Sequence, residues 1–277
     1  MGKFDGYLIC TDCDGTLTDS QRKISPENAE AIRYFQENGG LFTVASGRYP
    51  NYIDEFSSVF VPNSYIVACN GAVLYDPKAD RIVKAMHLKE SFTELLCYMY
   101  ENMPEVNGAS ICGEQHELIH FVRSDLEIDP MWAFYYEGAV PVSSADDIRK
   151  ALSEVTEPAC KCVFMQDRES TLLFPKILAE RFGDDFDFVV AWETGFEALP
   201  KGAGKGQMIM EMKKLLPGVH TALGVGDYGN DITMFEHCDI GYAVANAPDW
   251  VRTRAEHVTV SNDESAIAKI IYSLPGA

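Results

Sequence analysis

Four short apolar runs, Tyr7-Leu8-Ile9-Cys10, Leu41-Phe42-Thr43-Val44-Ala45, Tyr65-Ile66-Val67-Ala68-Cys69 and Thr221-Ala222-Leu223-Gly224-Val225, each stop at a polar loop that carries glycine. Runs of this length and composition read as strands buried on both faces, the setting of parallel strands in an α/β sheet. Between the first two, Ser25-Pro26-Glu27-Asn28 opens a helix with a serine cap and proline at the first helical position, and Gly39-Gly40 closes it. Parallel strands point one way, so their loops gather on the carboxyl edge, where open α/β sheets bind ligands. That edge collects Asp12, Asp14, Ser46, Asn70, Lys205, Asp227, Asn230 and Asp231.

The alternation is interrupted. From about residue 80 to 194 the pattern predicts strands at 81–88, 106–112, 117–122, 160–165 and 186–191, with helices at 92–102, 125–136, 146–155 and 171–182. After about Phe196 the strand–helix alternation resumes, with a helix from Lys205 to Leu216 and a last one from Glu264 to Leu274. At 277 residues the chain exceeds the usual single-domain size. The expected fold is α/β: a doubly wound, Rossmann-like parallel sheet core over 1–79 and 197–277, with an inserted α+β domain at 80–196.

A formal net charge of −19 argues against a nucleic-acid partner, which would require a basic stripe. No apolar stretch approaches the ~18 residues of a membrane span, and the start Met1-Gly2-Lys3-Phe4-Asp5 has no signal-peptide character, so a cytoplasmic protein with no membrane partner is expected. The eight cysteines lie mostly inside apolar runs and are expected to be reduced core thiols. The histidines at 87, 116, 120, 220, 237 and 257 show no metal-ligand spacing and read as surface or insertion residues.

The first strand leads into Asp12-Cys13-Asp14-Gly15-Thr16-Leu17. Two acids separated by one residue, then a glycine, supply a carboxylate nucleophile, a second acid and a sharp turn within a few positions. Asp12, Asp14, Asp227 and Asp231 crowded on one edge would repel by about 3 kcal/mol per pair at ~5 Å and an effective dielectric of 20. A cation is therefore required, and carboxylate and carbonyl oxygens suit Mg²⁺.

With these motifs in order, and with Ser46-Gly47-Arg48, Asn70-Gly71, the run ending Gly204-Lys205-Gly206, Gly226-Asp227-Tyr228-Gly229-Asn230-Asp231 and Val244-Ala245-Asn246-Ala247-Pro248, the chain resembles the haloacid dehalogenase-like phosphatases. The similarity is to their Cof-type branch, whose large cap is inserted late in the core, and it covers essentially the whole chain. The resemblance implies Asp12 as nucleophile, Asp14 as acid/base and Lys205 as phosphate clamp. It implies Mg²⁺ held by Asp12, the backbone carbonyl of Asp14 and Asp227, with Asp231 holding Lys205 or a metal-bound water. Thr16, Ser46, Gly47, Asn70 and Asn230 form the implied substrate-binding set. Arg48 reads as a structural ion pair and stays outside the catalytic set. Within the insertion, His116, His120, Arg123, Trp132 and Trp192 are candidates for facing the substrate, with packing or surface roles as the plainer reading.

The implied activity is hydrolysis of a small phosphorylated metabolite, a sugar phosphate or phosphorylated cofactor. Two other readings stay open: a phosphotransferase or phosphomutase using the same aspartyl-phosphate, and a phosphate-ligand sensor that has lost the reaction. Two departures from the family pattern stand out: Ala203-Gly204 before Lys205, where a larger apolar and a polar residue are common, and no glycine in Asn262-Asp263-Glu264-Ser265-Ala266-Ile267 to open the last helix.

Overall fold

A computed structural model describes residues 2–125 and 137–275, the side chains of 53–55 excepted. It divides into two compact units, Met1–Ala85 with Ala203–Ala277, and Met86–Gly202. In chain order the first unit opens with β1 (Tyr7–Thr11), α1 (Pro26–Glu37), β2 (Leu41–Val44), β3 (Ile66–Ala68), β4 (Val73–Asp76) and β5 (Arg81–Ala85). Helix α1 starts as its sequence dictates: the Ser25 hydroxyl accepts from the Asn28 amide, Pro26 occupies the first turn, and Ala31, Ile32 and Phe35 form its buried stripe.

The second unit contains α2 (Phe92–Asn102), β6 (Gly108–Cys112), β7 (Glu117–Arg123), β8 (Val140–Val142), α3 (Ala145–Leu152), β9 (Lys161–Met165), α4 (Arg168–Phe182), β10 (Phe186–Trp192) and β11 (Gly195–Pro200). Its strands form one sheet in the order β10-β11-β9-β6-β7-β8. Alternate residues turn to one face, where Ala109, Ile111, Phe121, Cys162, Phe164, Phe196 and Ala198 join Leu95 and Met99 of α2, Ile148 of α3 and Leu178 of α4 in a single apolar cluster. Lys161 and Glu197 belong to the opposite alternation. The strand Gly195–Pro200, read from sequence as the return to the core, pairs antiparallel with both β9 and β10. It was missed because Glu197 breaks the apolar run, although that side chain is buried against Lys161. The helix expected at 125–136, and Trp132 with it, lie outside the described residues.

The chain then returns to the first unit through α5 (Lys205–Lys214), β12 (Thr221–Gly226), α6 (Ile232–His237), β13 (Ile240–Ala243), α7 (Asp249–Arg252), β14 (His257–Val258) and α8 (Ala266–Ser273). A parallel sheet in the order β14-β13-β12-β1-β2 makes its centre. Leu8 of β1 faces Ala222 of β12 and Leu41 of β2, so β1 is an interior strand, buried from Leu8 to Thr11. The third strand extends this sheet only by a parallel bridge, Ala45 to Val67, and then turns with β4 and β5 into a small antiparallel sheet. Helix α1 packs with α8, and α5 with α6. Truncating a central core residue such as Ile9, with no solvent exposure, to alanine would cost roughly 2–5 kcal/mol.

The expected α/β class holds, with a parallel core sheet and an α+β insertion whose sheet is antiparallel except for the parallel pair β7–β8. The last helix opens without glycine because Ser265 itself takes the left-handed conformation, at φ 59° and ψ 51°, its hydroxyl 2.8 Å from that of Ser25. No helix among the described residues is long and apolar enough to cross a membrane. The cysteines are free thiols, all buried except the half-buried Cys238.

Candidate active site

β1 ends at Thr11, and the Asp12 amide continues the ladder by donating to the Val225 carbonyl at 2.8 Å. The chain then turns sharply, with the Leu17 amide on the Asp12 carbonyl (3.3 Å) and the Thr18 amide on that of Cys13 (2.9 Å). Gly15 sits at φ 80°, and a Cβ there would lie 2.6 Å from the nearer Asp227 carboxylate oxygen. Glycine is needed twice over, for the left-handed backbone and for the approach of Asp227.

Lys205 is the first residue of α5 and is fully buried. Its ammonium donates to Asp12 Oδ1 and to Asp231 Oδ1, each at 2.6 Å. The other Asp231 oxygen accepts the Asp227 and Tyr228 amides at 2.9 and 3.1 Å. Asp231 is thereby occupied on both oxygens, fixing the lysine on one side and the loop after β12 on the other. Asp227 accepts from the Thr16 hydroxyl at 2.9 Å. The β2 and β3 loops close against the same edge: the Ser46 hydroxyl accepts the Arg48 amide (3.2 Å), and the Asn70 amide donates to the Ser46 carbonyl (2.9 Å). Asn70, in left-handed backbone at φ 52°, accepts from the Asn230 side chain at 3.0 Å and lies beside Gly47. Gly71 allows a second close approach, since a Cβ on it would fall 2.1 Å from the Gly204 carbonyl carbon. A small pair, Ala203-Gly204, before Lys205 fits that contact.

Asp12, Asp227 and Asp231 bring one oxygen each within 4.8 Å of one another. One ammonium cannot neutralise three carboxylates in a desolvated place. Burial is the main force pushing Asp12 up to about 7, Lys205 pulls it down, and Asp231 pushes it up again. Asp227 is driven well above the usual carboxylate range, by burial first and then by Asp12 and Asp231. Lys205 is held charged, its two carboxylates outweighing the burial that opposes it. The cluster therefore calls for a proton or a cation, and its all-oxygen character fits a hard divalent ion.

Asp14 stands apart from the cluster. Its carboxylate is exposed and accepts a two-pronged bond from Arg48, at 2.7 Å to Nε and 2.8 Å to Nη2, and the guanidinium lies 3.6 Å over the Tyr52 ring. The sequence offered Arg48 only as an unplaced ion pair; its partner became visible when the loops after β1 and β2 met. Asn246, noted only as part of a motif, holds the turn by donating to the Gly15 carbonyl at 2.8 Å and accepting the Asn262 amide at 3.0 Å. Of the insertion candidates, His116 pairs with Glu157 at 3.3 Å, Arg123 donates to the Tyr100 carbonyl at 2.9 Å, and the Trp192 ring fills the space beside Gly195.

The sequence model of the haloacid dehalogenase-like hydrolases matches residues 9–271. Among curated proteins, a phosphatase of Bacillus subtilis, YwpJ, is 28% identical, aligned over 96% of this chain and 99% of its own. The pyridoxal phosphate phosphatase YbhA of Escherichia coli is 24% identical over 96% of this chain and 97% of its own. Among solved structures, that of SMU.1108c from Streptococcus mutans superposes with a TM-score of 0.80 at 21% identity, covering 96% of this chain and 97% of that one. The order of its motifs, the carboxyl-edge site and the near-complete family match agree, and this chain belongs to the Cof-type branch of the haloacid dehalogenase-like hydrolase family.

Proposed function

We propose that this protein is a Mg²⁺-dependent phosphatase that hydrolyses small phosphomonoesters through an aspartyl-phosphate on Asp12. The observation that carries the reading is Asp12 itself: a buried carboxylate at the carboxyl end of the central strand, bonded on one oxygen by the Lys205 ammonium. A lysine so placed offers a fixed positive charge to the phosphoryl oxygens while it steers the nucleophile. The free Asp12 oxygen attacks phosphorus, and the bond from phosphorus to the leaving oxygen breaks. Asp14 supplies the proton to that oxygen, then takes one from the water that attacks the aspartyl-phosphate, and the phosphorus–Asp12 bond breaks. Such acid–base help is typically worth ~10²–10⁴-fold.

Asp12, Asp227 and the Asp14 backbone carbonyl are the residues assigned to hold Mg²⁺, which when bound offsets the negative excess of the cluster and polarises a phosphoryl oxygen. Asp231 is a positioning residue, because both its oxygens already serve Lys205 and the loop after β12. Thr16, Ser46, Gly47, Asn70 and Asn230 are assigned to binding the phosphoryl group, through hydroxyl, amide and main-chain donors. The inserted unit, Met86–Gly202, is assigned the choice of substrate as the cap of its family. Sugar phosphates or phosphorylated cofactors are the proposed class, supported by a relative that is a pyridoxal phosphate phosphatase.

The test is a panel of phosphate esters with saturating Mg²⁺, read as released inorganic phosphate, with acid-quenched protein treated with hydroxylamine to trap an acyl phosphate. Turnover together with a hydroxamate on Asp12 is expected. Isomerisation of a hexose phosphate without phosphate release would instead identify a mutase, and binding without turnover across the panel would identify a sensor.

A further inference from the structure

Outside the carboxylate cluster, the second unit brings together a different set of donors. His87 lies two residues beyond β5, Glu114 in the turn joining β6 to β7, and Cys160 immediately before β9. Main-chain bonds stitch these three segments side by side: Leu88 N to Ala159 O at 2.7 Å, Cys160 N to Cys112 O at 2.7 Å, and Gly113 N to His116 O at 2.9 Å. One side-chain donor from each residue then falls within 4.8 Å of the other two. His87 Nε2 and Glu114 Oε1 are already 2.8 Å apart.

We propose that His87, Glu114 and Cys160 form a second metal site, for a borderline-soft divalent ion of the zinc class. The donor set selects the ion. Mg²⁺ and Ca²⁺ take oxygen ligands, whereas imidazole nitrogen, thiolate sulfur and one carboxylate together suit zinc and its neighbours. Bonds of ~2.0–2.3 Å in a tetrahedral arrangement place ligand atoms roughly 3.3–3.7 Å apart. His87 and Glu114 need only separate slightly to admit the ion, with Cys160 Sγ within 4.8 Å of both. The side chains of His87 and Glu114 are 38% and 31% exposed while Cys160 is buried, so the ion enters from solvent and seats on the thiol beneath. Three ligands among the described residues leave a fourth coordination position.

A surface imidazole–carboxylate pair without metal is the plainer account of His87 and Glu114, but it does not account for a cysteine Sγ lying within 4.8 Å of both side-chain donors. Binding breaks the Cys160 S–H bond, forms a metal–sulfur bond and sends the proton to solvent. Protons compete with the ion for that sulfur, so binding strengthens as pH rises. A filled site would clip the segment that begins this unit to the edges of β6 and β9.

Co²⁺ is the probe. It is titrated into metal-free, full-length protein in the presence of excess Mg²⁺, which occupies the all-oxygen cluster. The expected result is a near-ultraviolet thiolate-to-cobalt charge-transfer band that saturates at about one ion per chain and is bleached by Zn²⁺. Cys160→Ser should abolish the band. His87→Ala, a change at a half-exposed side chain that the fold tolerates, should weaken Co²⁺ binding roughly tenfold or more. Absence of the band in folded protein, or a band that survives either substitution unchanged, overturns the proposal. Phosphate release is not the readout, so failure here is separate from failure of the proposed phosphatase reaction.

Discussion

Lys205 and Lys161 are both buried, one in each unit, and each ammonium lies within 2.7 Å of a carboxylate oxygen. Lys161 meets Glu197 across neighbouring strands of the second unit's sheet. Lys205 meets Asp12 and Asp231, with Asp227 beside them, so the core site carries an excess of negative charge that its own residues leave unneutralised. Buried charge by itself is common to both places. The imbalance is what makes the core cluster the candidate site for a cation and an anionic substrate, whereas Lys161 and Glu197 bring together one charge of each sign.

The strongest way to break this comparison is to remove one carboxylate from each place. Asp12→Asn is expected to lower kcat by roughly 10⁴-fold or more while the protein stays folded by circular dichroism, because the proposed nucleophile is lost. Glu197→Gln should leave kcat within several-fold of the parent but cost about 3–5 kcal/mol, since the buried Lys161 ammonium loses the Glu197 carboxylate. A thermal melt should show it as a fall in Tm of roughly 10 °C. Preserved activity in the first variant, or lost activity with unchanged Tm in the second, would reverse the two roles.

The second way replaces both partners. Lys161→Met with Glu197→Leu should recover most of the stability lost by the single change, because apolar pairs of similar volume often equal a buried ion pair. The matching double change, Lys205→Met with Asp231→Leu, should leave turnover abolished whatever it does to Tm. Only the core pair is assigned to chemistry.

A third, smaller effect follows from proton and metal competing for the negative excess. Asp12 is pushed by burial to about 7, above its unfolded value. In metal-free protein its proton therefore contributes stability that is fully present below about pH 4 and lost as pH rises through about 7. Mg²⁺ takes over where the proton leaves, so the rise in Tm on adding Mg²⁺ should be small near about pH 5.5 and grow toward about pH 8. Asp12→Asn should flatten that dependence, whereas Glu197→Gln should not. Chelating the metal should stop turnover at either pH.

The smallest expected effect is at Arg48. Its bond to Asp14 is half-exposed, and pairs of that kind contribute about 0–1 kcal/mol. Arg48→Ala should change kcat by several-fold at most, with Tm nearly unchanged, by freeing the Asp14 carboxylate to wander. A loss as large as that of Asp12→Asn would show that Arg48 touches the substrate.

Much of the core was legible because its signals are local. The cap at Ser25 and Pro26, the apolar run before Asp12 and the turn residue Gly15 each act on neighbours a few positions away. What stayed hidden depended on distant partners. Glu197 made β11 look like a loop, and Lys161, 36 residues earlier, supplies a partner for a buried glutamate in a strand. Ser265 lacked the expected glycine, and only the left-handed backbone at that position shows how a serine does the same work. The histidines had no metal spacing along the chain, yet His87 meets Glu114 and Cys160 through the antiparallel sheet, where separation in sequence says nothing about separation in space.

By itself the sequence determined the class of fold, the carboxyl edge on which the acids gather, and the family, because these rest on short apolar runs and on motifs whose residues are neighbours. Tertiary structure decided how those acids are shared out. It gave Lys205 to Asp12 and Asp231 together, Thr16 to Asp227, and Arg48 to Asp14, pairings that span 193, 26, 211 and 34 residues. Electrostatic energy depends on distance and burial, and both come into being only when the strands have paired and the loops have met.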